Sequence, residues 1–144
     1  MQKLRYFLIS SLVCFYTQCI CQPNELYKKY LPAHLKTSKL FTKPLRVDLN
    51  CDNVKDYALI FRKDKDNTDV YIIYSSGDTF RVQYLQTFDT TDLSINYCST
   101  YKDSKSLQFK CNAVIVENWE WKEIYEFDPV LNKFKNRFDK HIGP

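Results

Sequence analysis

From Leu45 onward the period of the apolar residues changes to two, and this change decides the fold class. Segments 45–51, 57–62, 69–75, 79–86, 93–99, 107–116 and 119–127 each combine alternation or a short apolar run with β-branched and aromatic residues. Seven short strands at near-regular spacing predict a mainly β chain, folded as one antiparallel β-sandwich or small barrel. The links are too short to hold crossover helices, so antiparallel pairing is expected throughout. Residues 64–68 and 102–106 read as solvated loops. Gly77 is the one glycine placed for a tight hairpin. An aromatic share of 16% with only two glycines fits strand-face packing by Tyr and Phe.

Helical spacing appears only at the flanks of this β region. Residues 22–44 read as an N-terminal arm. Pro23 and Asn24 can cap a short helix there, and Leu26, Tyr27, Tyr30 and Leu31 share its apolar face up to Pro32. The mixed and basic stretch from Ala33 to Lys43 reads as a connector. At the other end Asp128 is a good N-cap and Pro129 suits the first helical position. Val130, Leu131, Phe134 and Phe138 then recur at three- and four-residue steps. This predicts a C-terminal amphipathic helix over 128–140, docked on the sheet, with Lys133, Lys135, Arg137 and Lys140 as a candidate basic surface. Residues 45–144 thus form one β-rich domain closed by that helix.

The first 21 residues carry a different signal. Lys3 and Arg5 precede an apolar run from Tyr6 to Tyr16, which ends in the small-residue pattern Cys19, Ile20, Cys21. A short positive segment, an apolar stretch too brief to cross a bilayer and a small-residue exit make a secretory signal peptide. Cleavage falls after Cys19 or after Cys21. No second apolar run of spanning length follows, so a secreted chain without a transmembrane anchor is expected. Removal of residues 1–21 leaves 123 residues, the size of one domain. The chain has 21 Lys and Arg against 17 Asp and Glu, and two of the basic residues lie in the leader, so the remainder carries a net charge of only +2. That balance does not call for a nucleic-acid partner.

An oxidising compartment makes the cysteines disulfide candidates before metal ligands. Cys51 shares the parity of the apolar residues in 45–51, and Cys111 does so in 107–115, so both sulfurs point inward. Cys98 lies on the opposite parity from Leu93, Ile95 and Tyr97. The expected pairing is therefore Cys51 with Cys111. Cys98 is left as a free or intermolecular thiol that could link a covalent homodimer. No Cys-x-x-Cys or Cys/His spacing suits zinc.

Catalytic material is scarce. The histidines, His34 and His141, sit one near each end, and a histidine pair alone does not define a site. Asp64, Asp66 and Asp69 cluster, but an EF-hand loop starting at Asp64 has Asp69 and Ser75 where Gly and Glu belong. No nucleophile elbow, metalloprotease helix or phosphate-cradling loop occurs, and no cofactor is implied. On the last strand Trp119, Trp121, Tyr125 and Phe127 share one parity, which predicts one buried aromatic face, and Trp119, Trp121 and Tyr125 are also the candidate binding aromatics. The residues point to a secreted, non-enzymatic binding protein with an extracellular protein or glycan partner. One alternative is a lipocalin-like carrier of a small apolar ligand, although no Gly-x-Trp opens the first strand. Another is a secreted hydrolase or ribonuclease.

Overall fold

The computed structural model describes residues 26–101 and 107–141, with side chains described over 26–98 and 111–137. Its strands are β1 (Leu45–Val47), β2 (Asp56–Arg62), β3 (Thr68–Ser76), β4 (Thr79–Phe88), β5 (Ser94–Tyr101), β6 (Leu107–Glu117), β7 (Trp121–Asp128) and β8 (Lys133–His141). They form two four-stranded antiparallel sheets in chain order, β1 to β4 and β5 to β8, and not a closed barrel.

The run from Tyr57 to Phe61 in β2 is apolar at every position, and every one of its side chains is buried. A strand without polar alternation needs cover on both faces, and β2 has it. On one face Ala58 and Ile60 join Val47, Val70, Ile72, Tyr74 and Phe88, meeting Leu93, Val114, Val116, Tyr125 and Phe134 of the second sheet. On the other face Tyr57, Leu59, Phe61 and Ile73 lie beneath Tyr27, Leu31 and Leu35 of the N-terminal arm. Each fully buried Val, Leu, Ile or Phe side chain among them contributes about 1.5–3 kcal/mol relative to exposure. The arm is thus a third layer, built from a 3₁₀ helix (Leu26–Lys29) and a single α-helical turn (Ala33–Lys36). It continues into a bridge between Leu40 and Phe61 and then into β1, so both pieces lie along the same edge of β2.

The expected C-terminal helix over 128–140 is corrected: residues 133–141 are strand β8, paired with β7. Asp128 does act as a cap, since its Oδ1 accepts the N–H groups of Val130 at 3.0 Å and Leu131 at 3.2 Å. The chain leaves that turn at Asn132, whose φ of 48° lies in the left-handed region. Phe134 and Phe138 are four apart, a spacing that fits period two as well as 3.6, and Lys133, Lys135 and Arg137 alternate with them. Val130 and Leu131, which seemed to belong to the apolar stripe, project from the turn, and Val130 is 90% exposed.

The expected first strand is also shorter than its pattern. Pairing stops at Val47, because Cys51 and Asn53 take φ values of 63° and 67° and turn the chain back towards β2. The hairpin from β3 to β4 turns on Gly77, with φ of 62°.

Candidate functional site

The loop between β1 and β2 is held by carboxylates that its own sequence supplies. Asp48 accepts the N–H of Cys51 at 2.8 Å and of Asn53 at 2.9 Å. Asp52 accepts the N–H of Val54 at 2.8 Å. Asn50 donates through Nδ2 to the Ser75 carbonyl at 2.8 Å, tying the loop to β3. Asp56, fully buried, accepts from Leu49 N–H at 2.7 Å and from Ser75 N–H at 3.0 Å. Burial pushes the Asp56 carboxyl up to about 6, against the pull of those two amides, and Asp52 and Asp48 add to the rise. Asp52 feels burial too, but hydrogen bonds from Ser75, Val54 and Asn50 together hold it below the ordinary range. The Cys51–Cys111 disulfide fastens the loop to β6, with 5.5 Å between Cα atoms.

This pinned loop forms one wall of a cleft of about 370 Å³ whose opposite wall is the N-terminal arm. The floor is aromatic. Tyr30 and Phe80 stack with centroids 4.2 Å apart, and Tyr57 lies beside them, tilted against Tyr27 at 5.8 Å. Leu26 and Val54 are 55% and 42% exposed on its sides. Three cations stand around it: Lys29 with Nζ 4.6 Å from the Tyr30 ring centre, Arg46 with its guanidinium 5.9 Å from that of Tyr57, and Lys55 on the loop. None of the described residues lining it is acidic. Cation over aromatic is an attractive arrangement that also fixes where the positive charge sits.

A second, smaller cleft of about 210 Å³ lies where the arm meets the far end of β2, lined by Lys39, Leu40, Phe41 and Arg62. There the Arg62 guanidinium is 5.6 Å from the centre of the Phe41 ring. Residues 26–47, which contribute to both clefts, contain Lys28, Lys29, Lys36, Lys39, Lys43 and Arg46 and no Asp or Glu. The basic character of Ala33 to Lys43 is legible in the charge pattern alone, whereas the clefts that residues 26–47 help to line are not.

The candidate binding aromatics do not form one patch. Trp119 sits in the turn before β7 and is 71% exposed. Trp121 stacks on Phe88 with centroids 4.7 Å apart at the border of the core, and Tyr125 is buried, its hydroxyl donating to Glu123. The candidate basic surface lies on a strand, and its charges are partly matched: Lys135 meets Asp128 at 2.6 Å and Arg137 meets Glu126 at 3.7 Å. Lys133 is exposed, and the side chain of Lys140 lies outside the described residues. Cys98 carries a half-buried thiol on β5, its pKa raised by burial against the opposing effect of Lys122. His34 is exposed on the arm over the first sheet, whereas His141 ends β8 in the second. The carboxylate of Asp64 accepts from Asp66 N–H and Asn67 N–H at 2.9 Å each, closing the turn before β3. Among the described residues no group of three or more His, Cys, Asp or Glu could hold a metal ion. No helix among them is long and apolar enough to cross a membrane. The expected leader over residues 1–21, the expected cap at Pro23 and Asn24 and the expected loop at 102–106 lie outside the described residues.

No protein-family model matches this chain, and neither the curated proteins nor the solved structures yield a significant match.

Proposed function

We propose that this chain is a secreted, non-enzymatic binding protein that engages an extracellular protein or glycan through the face formed by its N-terminal arm. The leader pattern of residues 1–21 supports export. The observation that carries the binding reading is the convergence of Lys29, Arg46 and Lys55 on an aromatic floor in a cleft with a pinned wall. Clefts of this kind, apolar below and lined by a few fixed polar groups, are where proteins take ligands. The volume of about 370 Å³ suits one ring-sized group of a larger partner.

The test uses the full-length secreted product, fluorescently labelled, on cells and extracellular matrix. Saturable binding is expected for the natural sequence. Val54→Trp and Leu26→Trp fill the cleft from its exposed sides without touching either core, and each is expected to abolish that binding. Binding that both variants retain, or no saturable binding at all, would overturn the reading.

A further inference from the structure

We propose that the partner is an acidic polysaccharide, a chain carrying sulfate or uronic carboxylate groups, laid along residues 26–47 with one sugar unit seated over the Tyr30, Phe80 and Tyr57 floor. This rests on the reading of that cleft as the binding element.

Charge is segregated in this molecule rather than spread. Beyond the leader the chain carries +2 in total, yet residues 26–47 alone hold six cations and no acid, which leaves a net charge of −4 on the remainder. Lys29, Lys36, Lys39, Lys43 and Arg46 are all exposed. A cation-rich segment on an otherwise near-neutral protein favours a polyanion and speeds its capture.

Spacing narrows the class to a linear polymer. Arg46 lies opposite Tyr57 at the start of β2, while the Lys39 carbonyl accepts the Arg62 N–H at the end of it. Arg62 lies five steps of extended strand beyond Tyr57, a span of about 17 Å. A single small anion reaches one of these ends, whereas a repeating anionic chain reaches both. Each end also offers an aromatic ring beside its cations, Tyr57 at one and Phe41 at the other. Such rings give the apolar faces of sugar units a surface to pack on while the cations meet their acidic groups. A bilayer surface fits less well. The strongly exposed apolar side chains of this region, Leu26 and Val54, flank a recessed cleft and do not form the broad apolar face that lies in a membrane interface.

Lys39, Lys43 and Arg46, with Pro44, also guard an open sheet edge against pairing with another strand, a task that any charge performs. Reversing their sign therefore separates the two roles. The secreted protein is titrated calorimetrically with heparin, and with neutral dextran as control, between 0.05 and about 0.5 M salt. Heparin is expected to bind saturably at about 0.15 M salt and to weaken steeply as salt rises, while dextran does not bind. Lys39→Glu with Lys43→Glu should weaken heparin at least about tenfold with the thermal unfolding of the protein little changed. Lys65→Glu with Lys133→Glu, the same change of net charge placed elsewhere, should weaken it far less.

Equal losses in the two double variants, or no heparin binding at 0.15 M salt, would overturn the proposal. Should the first double variant fail to fold, digestion of cell-surface glycans with heparin and chondroitin lyases decides. Loss of cell binding after digestion supports the polysaccharide. Cleft-dependent cell binding that survives digestion removes it in favour of an acidic protein surface, and leaves the binding reading standing.

Discussion

The side chain of Gln83 on β4 hydrogen-bonds the backbone of Phe134 on β8 in both directions: Nε2 donates to the Phe134 carbonyl at 2.7 Å, and Oε1 accepts the Phe134 N–H at 2.7 Å. β8 is the last strand of its sheet, so one side of its backbone has no strand partner there. A primary amide presents one donor and one acceptor at the spacing of a peptide unit, and here it stands in for a strand. Gln86 with Glu123 and Tyr74 with the Asn132 carbonyl add further polar ties between the sheets.

Replacing Gln83 tests how much this junction carries. Gln83→Leu keeps the size but leaves both Phe134 groups without the amide, so stability should fall by roughly 2 kcal/mol, the cost of stranding partly buried backbone groups. Gln83→Glu keeps the acceptor for the Phe134 N–H and sets a carboxylate against the Phe134 carbonyl. It should be the worse of the two at neutral pH and should recover on acidification. Urea unfolding of the three proteins at two pH values provides the comparison, and a Gln83→Leu loss under about 0.5 kcal/mol would show that water replaces the amide adequately.

Asp56 sets a pH dependence of definite sign. Its folded-state pKa is raised to about 6 from an ordinary value of 3.8, chiefly by burial, so the folded protein binds this proton more tightly than the unfolded chain. In that window the folded state holds more protons, and stability therefore rises as pH falls from about 7 towards 4.5. Asp52, Asp64 and Asp128 are shifted downwards and work in the opposite sense, but only below their ordinary range. The urea midpoint at pH 5 should thus exceed that at pH 7. Asp56→Asn should flatten this difference and lower stability at both pH values, because its amide group faces an N–H of Leu49 or Ser75 where a carboxylate oxygen accepted. A wild-type midpoint that does not rise between pH 7 and pH 5 would exclude the raised pKa.

How much was legible in the sequence follows from which physical terms are local. Strand alternation and the hairpin glycine are local, and β2 to β7 follow them. The expected pairing of Cys51 with Cys111 forms, but not through inward parity: Cys51 is exposed in the loop after β1 and Cys111 is half-buried. Residues 128–140 failed because Asp128 and Pro129 open a hairpin turn with the same chemistry that opens a helix. The choice then rests on the edge of β7 waiting to be paired, which is not written near Phe134. The expected aromatic face of 119–127 does meet the core at Trp121, Tyr125 and Phe127, and of the candidate binding aromatics Trp119 alone is strongly exposed. The cleft depends on the arm folding back over β2. Nothing within residues 26–36 specifies that, although the uninterrupted apolar run from Tyr57 to Phe61 required something to cover it.

Cys98 should be a slow thiol in the folded protein. Burial raises its pKa, Lys122 offsets only part of that, and its side chain is half-buried on β5. Reaction runs through the thiolate, so both exposure and ionisation act against it. With dithionitrobenzoate at pH 7.5, Cys98 should react at least about fivefold more slowly in the native protein than in urea. On non-reducing gels the native protein should then run as a monomer, and a disulfide-linked dimer should appear only after incubation in urea and vanish in Cys98→Ser. A native, Cys98-dependent dimer would show instead that the thiol is presented to a second copy.

The Cys51–Cys111 bridge closes a loop with a sequence separation of 60, and loop-closure entropy alone makes such a link worth roughly 4 kcal/mol. Cys51→Ala with Cys111→Ala should lose about 3–4 kcal/mol of unfolding free energy. Much of that loss arises in the unfolded chain, because the cleft wall has other anchors in Asp48, Asn50 and Asp56. Native-state hydrogen exchange separates the two contributions. In the double variant the amides of Leu49 and Asn53, which donate to Asp56 and Asp48, should keep protection that falls only as far as global stability falls. Exchange at those amides that outruns global unfolding would mean that the disulfide, and not the carboxylates, holds the loop against the cleft.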